Sequence, residues 1–497
     1  MPHKSKAYEA PRIEKLPFVT YGKHPDREVL STADVTDIPD AQALVEEFGS
    51  PLFVVNESRL RADFRRFRDA FTVPGIDTTV AYSIKTNYLP AVCATLKQEG
   101  AAAEVVSEME YDLARALGYE GSEIIFNGPH KARRALERAV GEGAVVNIDG
   151  FDELRRVSLI AATMGVKARL GLRMSFKYRG GGWTKFGFDY DSGDLHRALE
   201  QVAENDYLDL ELLHNHCGTF VLNHDLYMQA IKRLIDGARH ARGLGLSPRG
   251  VDVGGGFPSE NAIKLEYDLP GGSRRKGDFW RPYADEICSS ILDARELFGG
   301  RPRLILEPGR AVVDSSTQLL TTVVAKKNAD RDATSVIVDA GVNLLPTTVY
   351  YDHPLTRVSA GGESSSRGRS YDVYGPLCMQ TDILRRNVAA TQIDVGDVLM
   401  VSHVGAYCHS QSMQFIETRP ATVMLTDNGP VEIRRRETWK DVFALDRVPD
   451  HLRDPACRNF VRNERISVSV AEPPTQINFR QQARAEELWD RARKAGP

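Results

Sequence analysis

Eight short runs rich in β-branched residues, separated by helical segments, dominate the chain between about residues 78 and 310. These runs are TTVAYSI (78–84), AEVVS (103–107), EIIFN (123–127), AVVNI (144–148), ARLGLRM (168–174), DLELLHN (209–215), GVDVG (250–254) and RLILE (303–307). The intervening segments, such as YDLARALGYEG and FDELRRVSLIAATMG, carry apolar residues at helical spacing. Eight strands that alternate with helices are the number that closes a (β/α)8 barrel. The sequence therefore predicts an α/β fold built on a TIM-type barrel.

The pattern changes after Arg310. TQLLTTVVAKK, TSVIVDAG, VGDVLMVSHVG and RPATVMLTDNGPVEIRR are typical of strands joined by turns, with little helix between them. We therefore expect a mostly β domain after the barrel. The predicted divisions are an N-terminal extension with a segment that packs on the β domain (1–49), the barrel (50–310), the β domain (311–470) and a helical tail (471–497). Two insertions, 261–280 and 354–370, interrupt this plan.

Composition narrows the classes of protein to be considered. Charged residues make up 27% of the chain and the formal net charge is −4, which argues against a dedicated nucleic-acid-binding protein. There is no run of about 18 apolar residues, so no membrane span is expected, and the first residues, MPHKSKAYEAPRIEKLP, lack the apolar core of a secretory signal. The six cysteines are scattered without a CxxC pair, which favours neither a zinc knuckle nor a disulfide framework. The expected location is the cytoplasm.

Unusual residues follow the predicted barrel strands, at the end where barrel active sites are built. Lys85 closes the first strand in AYSIKTN. Such a lysine commonly just extends its ammonium group to solvent. The functional alternative is a Schiff-base lysine, whose amine loses its proton readily when it is partly desolvated.

The sixth strand ends in HNHCGTF, which contains His214 and His216. Residues two apart share a face of a strand, so a metal-binding pair is conceivable. However, no acidic or cysteine partner accompanies them at ligand spacing in the sequence. Packing of the segment against a flat ligand is the alternative, and no metal is predicted.

Glycines and charged residues follow the seventh and eighth strands. Gly254, Gly255 and Gly256 in VDVGGGFP can expose backbone N–H groups to a phosphate, although a tight turn explains them equally well. LEPGR places Glu307 close to Arg310, either as an ordinary salt bridge or as a carboxylate beside a phosphate-binding arginine. A lysine, a group that stacks on a ring, a phosphate turn, an arginine and a buried carboxylate together suit pyridoxal 5'-phosphate.

In its motifs the chain resembles the fold-type-III pyridoxal-phosphate-dependent decarboxylases, the group that contains the diaminopimelate, ornithine and arginine decarboxylases. YSIKTN, EVVSEME, KFGF, HCGTF, GGGFP, EPGR, GPLC and GAY occur in the order found in that family, over roughly residues 45–420. The resemblance implies an alanine-racemase-like barrel followed by a β domain, which agrees with the two patterns described above. It also implies a homodimer with shared active sites and an amino-acid substrate, without nucleic-acid or membrane partners.

The resemblance also implies roles for individual residues. Lys85 would carry the cofactor and later handle protons, His216 would stack on its ring, and Glu307 would pair with the ring nitrogen. Glu104 stands where an aspartate is usual, and Arg173 matches an arginine of the fifth strand that supports the site. The residues implied around the phosphate are Thr219, Gly254, Gly255, Gly256, Gly309, Arg310 and Tyr407.

Further residues are implied at a dimer interface. Cys378 of GPLC would reach the active site of the neighbouring subunit, where it or Lys85 would return a proton after the carboxylate leaves. Lys185 of KFGF and Asp382 would form a pair across the same interface. We accordingly predict a decarboxylase. A racemase or aldolase on the same barrel, against which Glu307 and Cys378 argue, and a non-catalytic binding protein derived from a decarboxylase are the alternatives.

Two departures from the family bear on the substrate. Met379 stands where the family normally has an acidic residue that binds the far end of the substrate. Asp352 in YYDH lies where the ornithine-type enzymes keep an aspartate for the distal amine, although a solvated turn aspartate is the alternative. A thioether cannot pair with an ammonium group. The expected substrate is therefore a basic amino acid, a diamino acid or a conjugate, and diaminopimelate is expected to be a poor one.

Overall fold

The computed structural model describes residues 28, 29, 38, 40–178, 185–261, 280–327, 333–358, 369–390 and 392–452. Most of the two predicted insertions and the whole predicted C-terminal helical tail lie outside these residues. No described helix is long and apolar enough to cross a membrane.

The strands and helices are numbered in chain order. The strands are β1 (Glu28–Val29), β2 (Leu52–Asn56), β3 (Asp77–Ser83), β4 (Ala102–Val105), β5 (Ile124–Phe126), β6 (Val145–Ile148), β7 (Ala168–Ser175), β8 (Phe188–Asp189), β9 (Leu208–Asn215), β10 (Gly250–Asp252), β11 (Arg303–Leu306), β12 (Thr317–Lys327), β13 (Ala333–Val338), β14 (Leu355–Arg357), β15 (Arg369–Tyr374), β16 (Ile383–Ala390), β17 (Val398–Val401), β18 (Ala421–Thr426) and β19 (Gly429–Arg434). The helices are α1 (Ala41–Phe48), α2 (Glu57–Ala70), α3 (Pro90–Gln98), α4 (Glu108–Ala116), α5 (Arg133–Gly141), α6 (Phe151–Met164), α7 (Asp194–Ala203), α8 (Asp225–Gly243), α9 (Arg281–Asp293), α10 (Arg310–Val313) and α11 (Trp439–Val442).

Eight parallel strands close into a barrel. Their order around it is β6-β5-β4-β3-β11-β10-β9-β7, and pairing of β6 with β7 completes the ring, while the short strand β8 extends from β7. Each of the eight runs identified in the sequence contributes one of these strands. The predicted (β/α)8 barrel is confirmed, and the carboxyl ends of its strands all point to the same face because every pairing within the ring is parallel.

The helices bury one face against the barrel, as their spacing predicts. Along α6 the buried apolar side chains are Leu154, Val157, Ile160 and Ala161, which recur three or four residues apart. This helix ends at Gly165, whose φ of 67° is the left-handed conformation that glycine adopts most easily. The predicted amphipathic pattern therefore places the helices outside the strands.

A second sheet follows the barrel and is mostly antiparallel. Its main order is β1-β16-β15-β13-β12-β2-β18-β19, and β17 pairs with both β12 and β14. Strand β2 lies between β12 and β18, although the sequence placed its residues in the barrel range 50–310. A five-residue strand with four consecutive apolar residues carries no signal of its pairing partner, which explains the difference.

The barrel and the second sheet belong to one compact unit that ends at Thr438. The described part of the second unit contains α11 and a short turn, Asp450–Leu452. Within the first unit, the loop after β17 contacts the end of β3: Asn87 Nδ2 donates to the carbonyl of Gly405, and the Tyr407 N–H donates to the carbonyl of Thr86. The second sheet thus helps to position the turn that carries Lys85.

Candidate active site

Lys85 lies in a 3-10 turn, Ile84–Thr86, directly after β3. Its Nζ donates to Ser83 Oγ at 2.6 Å and to Glu104 Oε2 at 2.5 Å. Burial would lower the pKa of Lys85, but the charge of Glu104, its hydrogen bond to Lys85 and the charges of Tyr407 and Glu307 together outweigh burial, and the pKa is raised. The side chain remains about one-third exposed, so the ammonium group is held at the mouth of the barrel, where a ligand can meet it.

Glu104, on β4, is almost fully buried. Burial would raise the pKa of its carboxyl, but the Lys85 charge and hydrogen bonds from Lys85 and Ser83 lower it overall. Its second oxygen accepts a hydrogen bond from Asn127 Nδ2 at 3.0 Å. The contact that the sequence left uncertain for Glu104 is therefore, in this structure, an ion pair with Lys85.

The three glycines after β10 leave no room for side chains. A Cβ atom at Gly254 would lie 2.6 Å from the backbone oxygen of Asn215. At Gly255 it would lie 2.3 Å from the backbone oxygen of Glu307, and at Gly256 it would lie 2.4 Å from that of Gly218. Gly254 and Gly256 also have φ values of 67° and 91°, which side chains disfavour. The segment is thus both a tight turn and a place where backbone is uncovered by side chains.

His216 packs against this turn. Its Nδ1 accepts a hydrogen bond from the Gly255 N–H at 3.0 Å, which requires that nitrogen to be unprotonated. Burial, reinforced by the charges of Arg173 and Lys85, lowers the pKa of His216 to about 3. The ring is therefore a neutral, flat surface beside a pocket that Arg173 and Phe186 also line.

Behind these groups, His214, Asp252 and Glu307 form a buried cluster in the barrel interior. His214 Nε2 lies 3.7 Å from Glu307 Oε2, and Asp252 hydrogen-bonds to Glu307. Burial and the neighbouring charges of Asp252 and Glu104 raise the pKa of Glu307 strongly. The ligand atoms lie within 4.8 Å of one another, a spacing compatible with a cation, but the raised pKa favours a proton on Glu307 instead. His214 thus has acidic neighbours in space that its sequence neighbourhood does not reveal.

Arg310 begins α10 and is buried. Its Nη1 lies 3.4 Å from Asp314 Oδ2, and its guanidinium lies over the rings of Tyr351 and Tyr407, 4.2 and 5.3 Å from their centroids. Among the described residues, none accepts a hydrogen bond from the Nε atom, which leaves a donor for an anion. The preceding Gly309 is required because its Cβ would lie 2.0 Å from Thr86 Oγ1.

Arg173, at the end of β7, is also buried. Its Nη1 lies 3.4 Å from Asp149 Oδ1, and its guanidinium packs over the ring of Phe186 at 4.2 Å. Burial lowers the pKa of Arg173. The side chain thus lies among Phe186, His216 and the carboxylates of the interior, which agrees with a supporting role.

The remaining residues expected in the site are not joined to this group by their contacts. Cys378, Met379 and Thr219 are exposed. Asp382 is buried and accepts hydrogen bonds from the N–H groups of Val342 at 2.8 Å and Leu377 at 2.7 Å. Its carboxylate shapes the loop that presents Cys378.

Lys185 and Asp352 have partners of other kinds within the chain. The Lys185 ammonium lies over the ring of Phe186, 4.9 Å from its centroid. Asp352 is buried, and its Oδ1 lies 3.3 Å from Nη1 of Arg385. An aspartate held in this ion pair is not presented to a substrate amine in the way that the sequence suggested, and that role stays a prediction.

The sequence reasoning missed four residues that touch the site: Ser83, Asn127, Asp252 and Tyr351. Ser83 and Asn127 lie at the carboxyl ends of β3 and β5, and Asp252 precedes the three glycines. Polar residues at the ends of otherwise apolar barrel strands are the signal that could have identified these three. Tyr351 stands beside Asp352 in YYDH and has no such signal.

Comparison with protein families identifies the two parts of the chain. Residues 57–314 match the family described as "Pyridoxal-dependent decarboxylase, pyridoxal binding domain". Residues 310–405 match "Pyridoxal-dependent decarboxylase, C-terminal sheet domain". The two matches coincide with the barrel and with the larger part of the second sheet.

Relatives and solved structures agree with these matches. The chain is 30% identical to diaminopimelate decarboxylase of Methanothermobacter thermautotrophicus over 83% of its own length and 95% of the relative. It is 29% identical to the Pseudomonas aeruginosa enzyme of the same name over 81% of its own length and 94% of the relative. The crystal structure of diaminopimelate decarboxylase from Methanocaldococcus jannaschii superimposes with a TM-score of 0.74 and 27% identity, covering 83% of this chain and 95% of that one. The chain belongs to the pyridoxal-dependent decarboxylase family and is a pyridoxal-phosphate-dependent amino-acid decarboxylase.

Proposed function

We propose that Lys85 carries the pyridoxal phosphate and that the groups around it remove the α-carboxylate of a basic amino acid, a diamino acid or a conjugate. The observation that carries this proposal is the Lys85 ammonium, held between Glu104 and Ser83 at the mouth of the barrel. A lysine that merely reached for solvent would not need a buried carboxylate as its partner. The ion pair instead fixes the amine at the end of the barrel where (β/α)8 enzymes bind their ligands.

The residues present fit the cofactor. The turn formed by Gly254, Gly255 and Gly256 leaves space that a Cβ would fill, and backbone N–H groups in such turns bind phosphate. The buried Nε of Arg310, which has no acceptor in the described part of the chain, can donate to the same anion. The flat ring of His216 accepts a hydrogen bond from this turn. The pKa of the buried Glu307 carboxyl is raised.

Bound pyridoxal phosphate supplies an electron-withdrawing ring that accepts the electron pair left when the α-carboxylate departs. Glu307 supports this chemistry by holding a proton at the place where the family pairs a carboxyl with the ring nitrogen. His216, being neutral, stacks without adding a charge that would oppose a protonated ring. Lys85 Nζ and Cys378 Sγ are the groups that return a proton to the reacting carbon.

Replacing Lys85 tests the proposal directly. We expect the wild-type protein, supplied with pyridoxal phosphate, to show an absorption band near the edge of the visible range and to release carbon dioxide from a basic amino acid. Lys85→Ala should lose both, because no other amine occupies that position, whereas Lys167→Ala, at an exposed position, should keep both. Absorption spectra and carbon dioxide release measure the result. A Lys85→Ala variant that keeps the band refutes the assignment.

The glycine turn offers a second test, with a control of equal backbone strain. Gly254 and Gly165 both have a φ of 67°, but only at Gly254 would a Cβ meet other atoms within 4 Å. Gly254→Ala should weaken pyridoxal phosphate binding about tenfold or more, since overpacking costs about 1–3 kcal/mol. Gly165→Ala carries the same strain and should leave the dissociation constant unchanged. Titration of the cofactor-free proteins measures both, and equal affinities would count against a phosphate site at this turn.

Assembly into a homodimer with shared active sites is part of the proposal. Cys378 is exposed on a loop that Asp382 holds, and Met379 beside it is 40% exposed. These side chains suit a surface that a second copy of the chain covers, so that Cys378 of one subunit serves Lys85 of the other. The Lys185–Asp382 pair belongs to the same proposed interface. The expected cytoplasmic location stays a prediction.

Mixing two inactive variants tests the shared site. Lys85→Ala and Cys378→Ala homodimers should each be nearly inactive. When subunits exchange after equal mixing, half of the dimers are hybrids with one intact site, so activity should return to about a quarter of the wild-type value. Carbon dioxide release before and after exchange provides the measurement. No recovery, despite hybrids being present by native mass spectrometry, would contradict the shared site.

The proposed substrate has a tail that does not depend on an acidic residue at position 379. The relatives reported above are named diaminopimelate decarboxylases, but the exposed thioether of Met379 offers no charge to an ammonium group. Asp352 is paired with Arg385 and supports tail binding only if that pair rearranges. The far end of diaminopimelate carries a carboxylate as well as an ammonium group, and both need polar partners there. We propose a basic amino acid, a diamino acid or a conjugate in preference to diaminopimelate.

A panel of amino acids with one engineered variant tests the substrate. Wild-type protein should release carbon dioxide faster from lysine, ornithine or their acylated forms than from diaminopimelate. Met379→Glu should lower KM for lysine or ornithine about tenfold, because a hydrogen bond to a charged group contributes about 1.5–3 kcal/mol. Met164→Glu, at an exposed position 44% accessible on α6, is the matched control and should change nothing. Diaminopimelate as the best substrate of the wild-type enzyme would overturn this part of the proposal.

A further inference from the structure

Asn127 joins two buried glutamates that the mechanism uses separately. It follows β5 and is 5% exposed. Its Nδ2 donates to Glu104 Oε1 at 3.0 Å and to Glu307 Oε1 at 2.6 Å. One amide group therefore connects the partner of Lys85 with the carboxyl assigned to the cofactor ring.

The orientation of the Asn127 amide is determined by Asn147. Asn147 Nδ2 donates to Asn127 Oδ1 at 2.7 Å and to Asp252 Oδ2 at 3.2 Å. Rotating either amide by 180° would place its oxygen against the oxygens it now faces and would lose these bonds. Asn147 can occupy this position because Gly171 has no side chain: a Cβ there would lie 1.7 Å from Asn147 Oδ1.

The direction of these bonds limits where protons can be. An amide NH2 group only donates, so the Oε1 atoms of Glu104 and Glu307 must both accept. The other oxygen of Glu104 accepts from Lys85 and Ser83, so Glu104 has no oxygen left for a proton and is ionised. The 2.6 Å bond that Asn127 donates to Oε1 favours a proton of Glu307 on Oε2, the oxygen that lies 3.7 Å from His214 Nε2. The hydrogen bond between Glu307 and Asp252 also favours the protonated form of Glu307.

The charges around Glu307 agree with this arrangement. The titratable groups that face it come from five strands or their ends: Lys85 after β3, Glu104 on β4, Arg173 on β7, His214 on β9 and Asp252 on β10. Burial, despite hydrogen bonds that oppose it, raises the pKa of Asp252 to about 6, and burial lowers that of His214 well below its usual value. Among these groups at neutral pH, Glu104 and Asp252 are anions and Lys85 and Arg173 are cations. Because Arg173 is also paired with Asp149, a further anion at Glu307 would be uncompensated.

We propose that Asn127 is a positioning residue that orders the protons beneath the cofactor, keeping Glu104 ionised toward Lys85 and leaving the Glu307 proton on Oε2. This role rests on the proposed function of Lys85 and Glu307, and it adds a residue that lies outside the family motifs quoted above. Asn127 acts through the two glutamates and does not itself touch the reacting atoms.

Asn127→Asp provides the sharpest test because it changes a donor into a carboxylate at nearly constant size. A third anion near Glu104 raises the pKa of that carboxyl, so the acidic limb of the kcat profile should move to higher pH by about one unit. We expect kcat at neutral pH to fall about tenfold, while KM changes less than about twofold, because Asn127 is buried and bonds the two glutamates. The pH dependence of the bound cofactor's absorption spectrum, recorded without substrate, should shift in the same direction.

Two further variants keep the test decisive. Asn127→Ser removes the double donation without adding a charge and should shift the profile in the same direction by a smaller amount. Asn205→Asp makes the same chemical change at an amide that donates to Ser158 and that, within the described part of the chain, has no hydrogen bond to Glu104 or Glu307. It should leave the pH profile of kcat and the absorption spectrum of the bound cofactor unchanged. Thermal unfolding shows whether each variant folds, and if Asn127→Asp does not, the profile of Asn127→Ser decides.

Two outcomes separate the inference from the function on which it rests. If wild-type protein binds pyridoxal phosphate and releases carbon dioxide, but the Asn127 variants have profiles that superimpose on that of Asn205→Asp, the positioning role is refuted. If the wild-type protein neither binds the cofactor nor releases carbon dioxide, the proposed function itself fails.

Discussion

The ion pair between Lys85 and Glu104 is the interaction on which the organisation of the site depends. Taking an ammonium and a carboxylate out of water is costly, and the cost is offset only when the pair has good geometry and its remaining hydrogen-bonding capacity is satisfied. Ser83 and Asn127 donate hydrogen bonds to the two carboxylate oxygens of Glu104. Asn127 also donates a hydrogen bond to Glu307, and Asn147 donates one to Asp252. The hydrogen bonds that support the ion pair are therefore connected to groups across the barrel. The polar interior is therefore one connected network whose members cannot be changed independently.

The barrel geometry explains why residues far apart in the sequence form this network. Parallel strands in a closed ring bring the carboxyl end of β3 beside those of β4 and β11, so Ser83, Glu104 and Glu307 meet although they span more than half of the barrel sequence. The strand count and the positions of Lys85, His216 and the three glycines could be predicted because each follows from a local pattern. The partners of Glu104 could not, because they depend on register and on which face of each strand points inward.

Carboxylates outside the barrel illustrate the same limit. Asp352 and Asp382 looked available for a substrate amine and for a lysine of another subunit, respectively. In the structure Asp352 faces Arg385, and Asp382 accepts two backbone N–H groups. Local sequence cannot distinguish a carboxylate that serves its own chain from one that serves a ligand, because both follow turns and both look polar. The partners of Asp352 and Asp382 within the chain can be identified only from the folded arrangement of β14, β15 and β16.

The central position of β2 in the second sheet has a consequence for synthesis on the ribosome. This strand, Leu52–Asn56, is made early, but its neighbours β12 and β18 emerge several hundred residues later. At about 5–20 residues per second, an apolar strand whose first four residues are buried in the final fold waits on the order of tens of seconds for its partners. The barrel strands are synthesised during this interval, while β2, which precedes them, is still unpaired. A chain interrupted before β18 therefore leaves unpaired the edge of β2 that β18 covers, and an exposed apolar edge of this kind can pair with other chains.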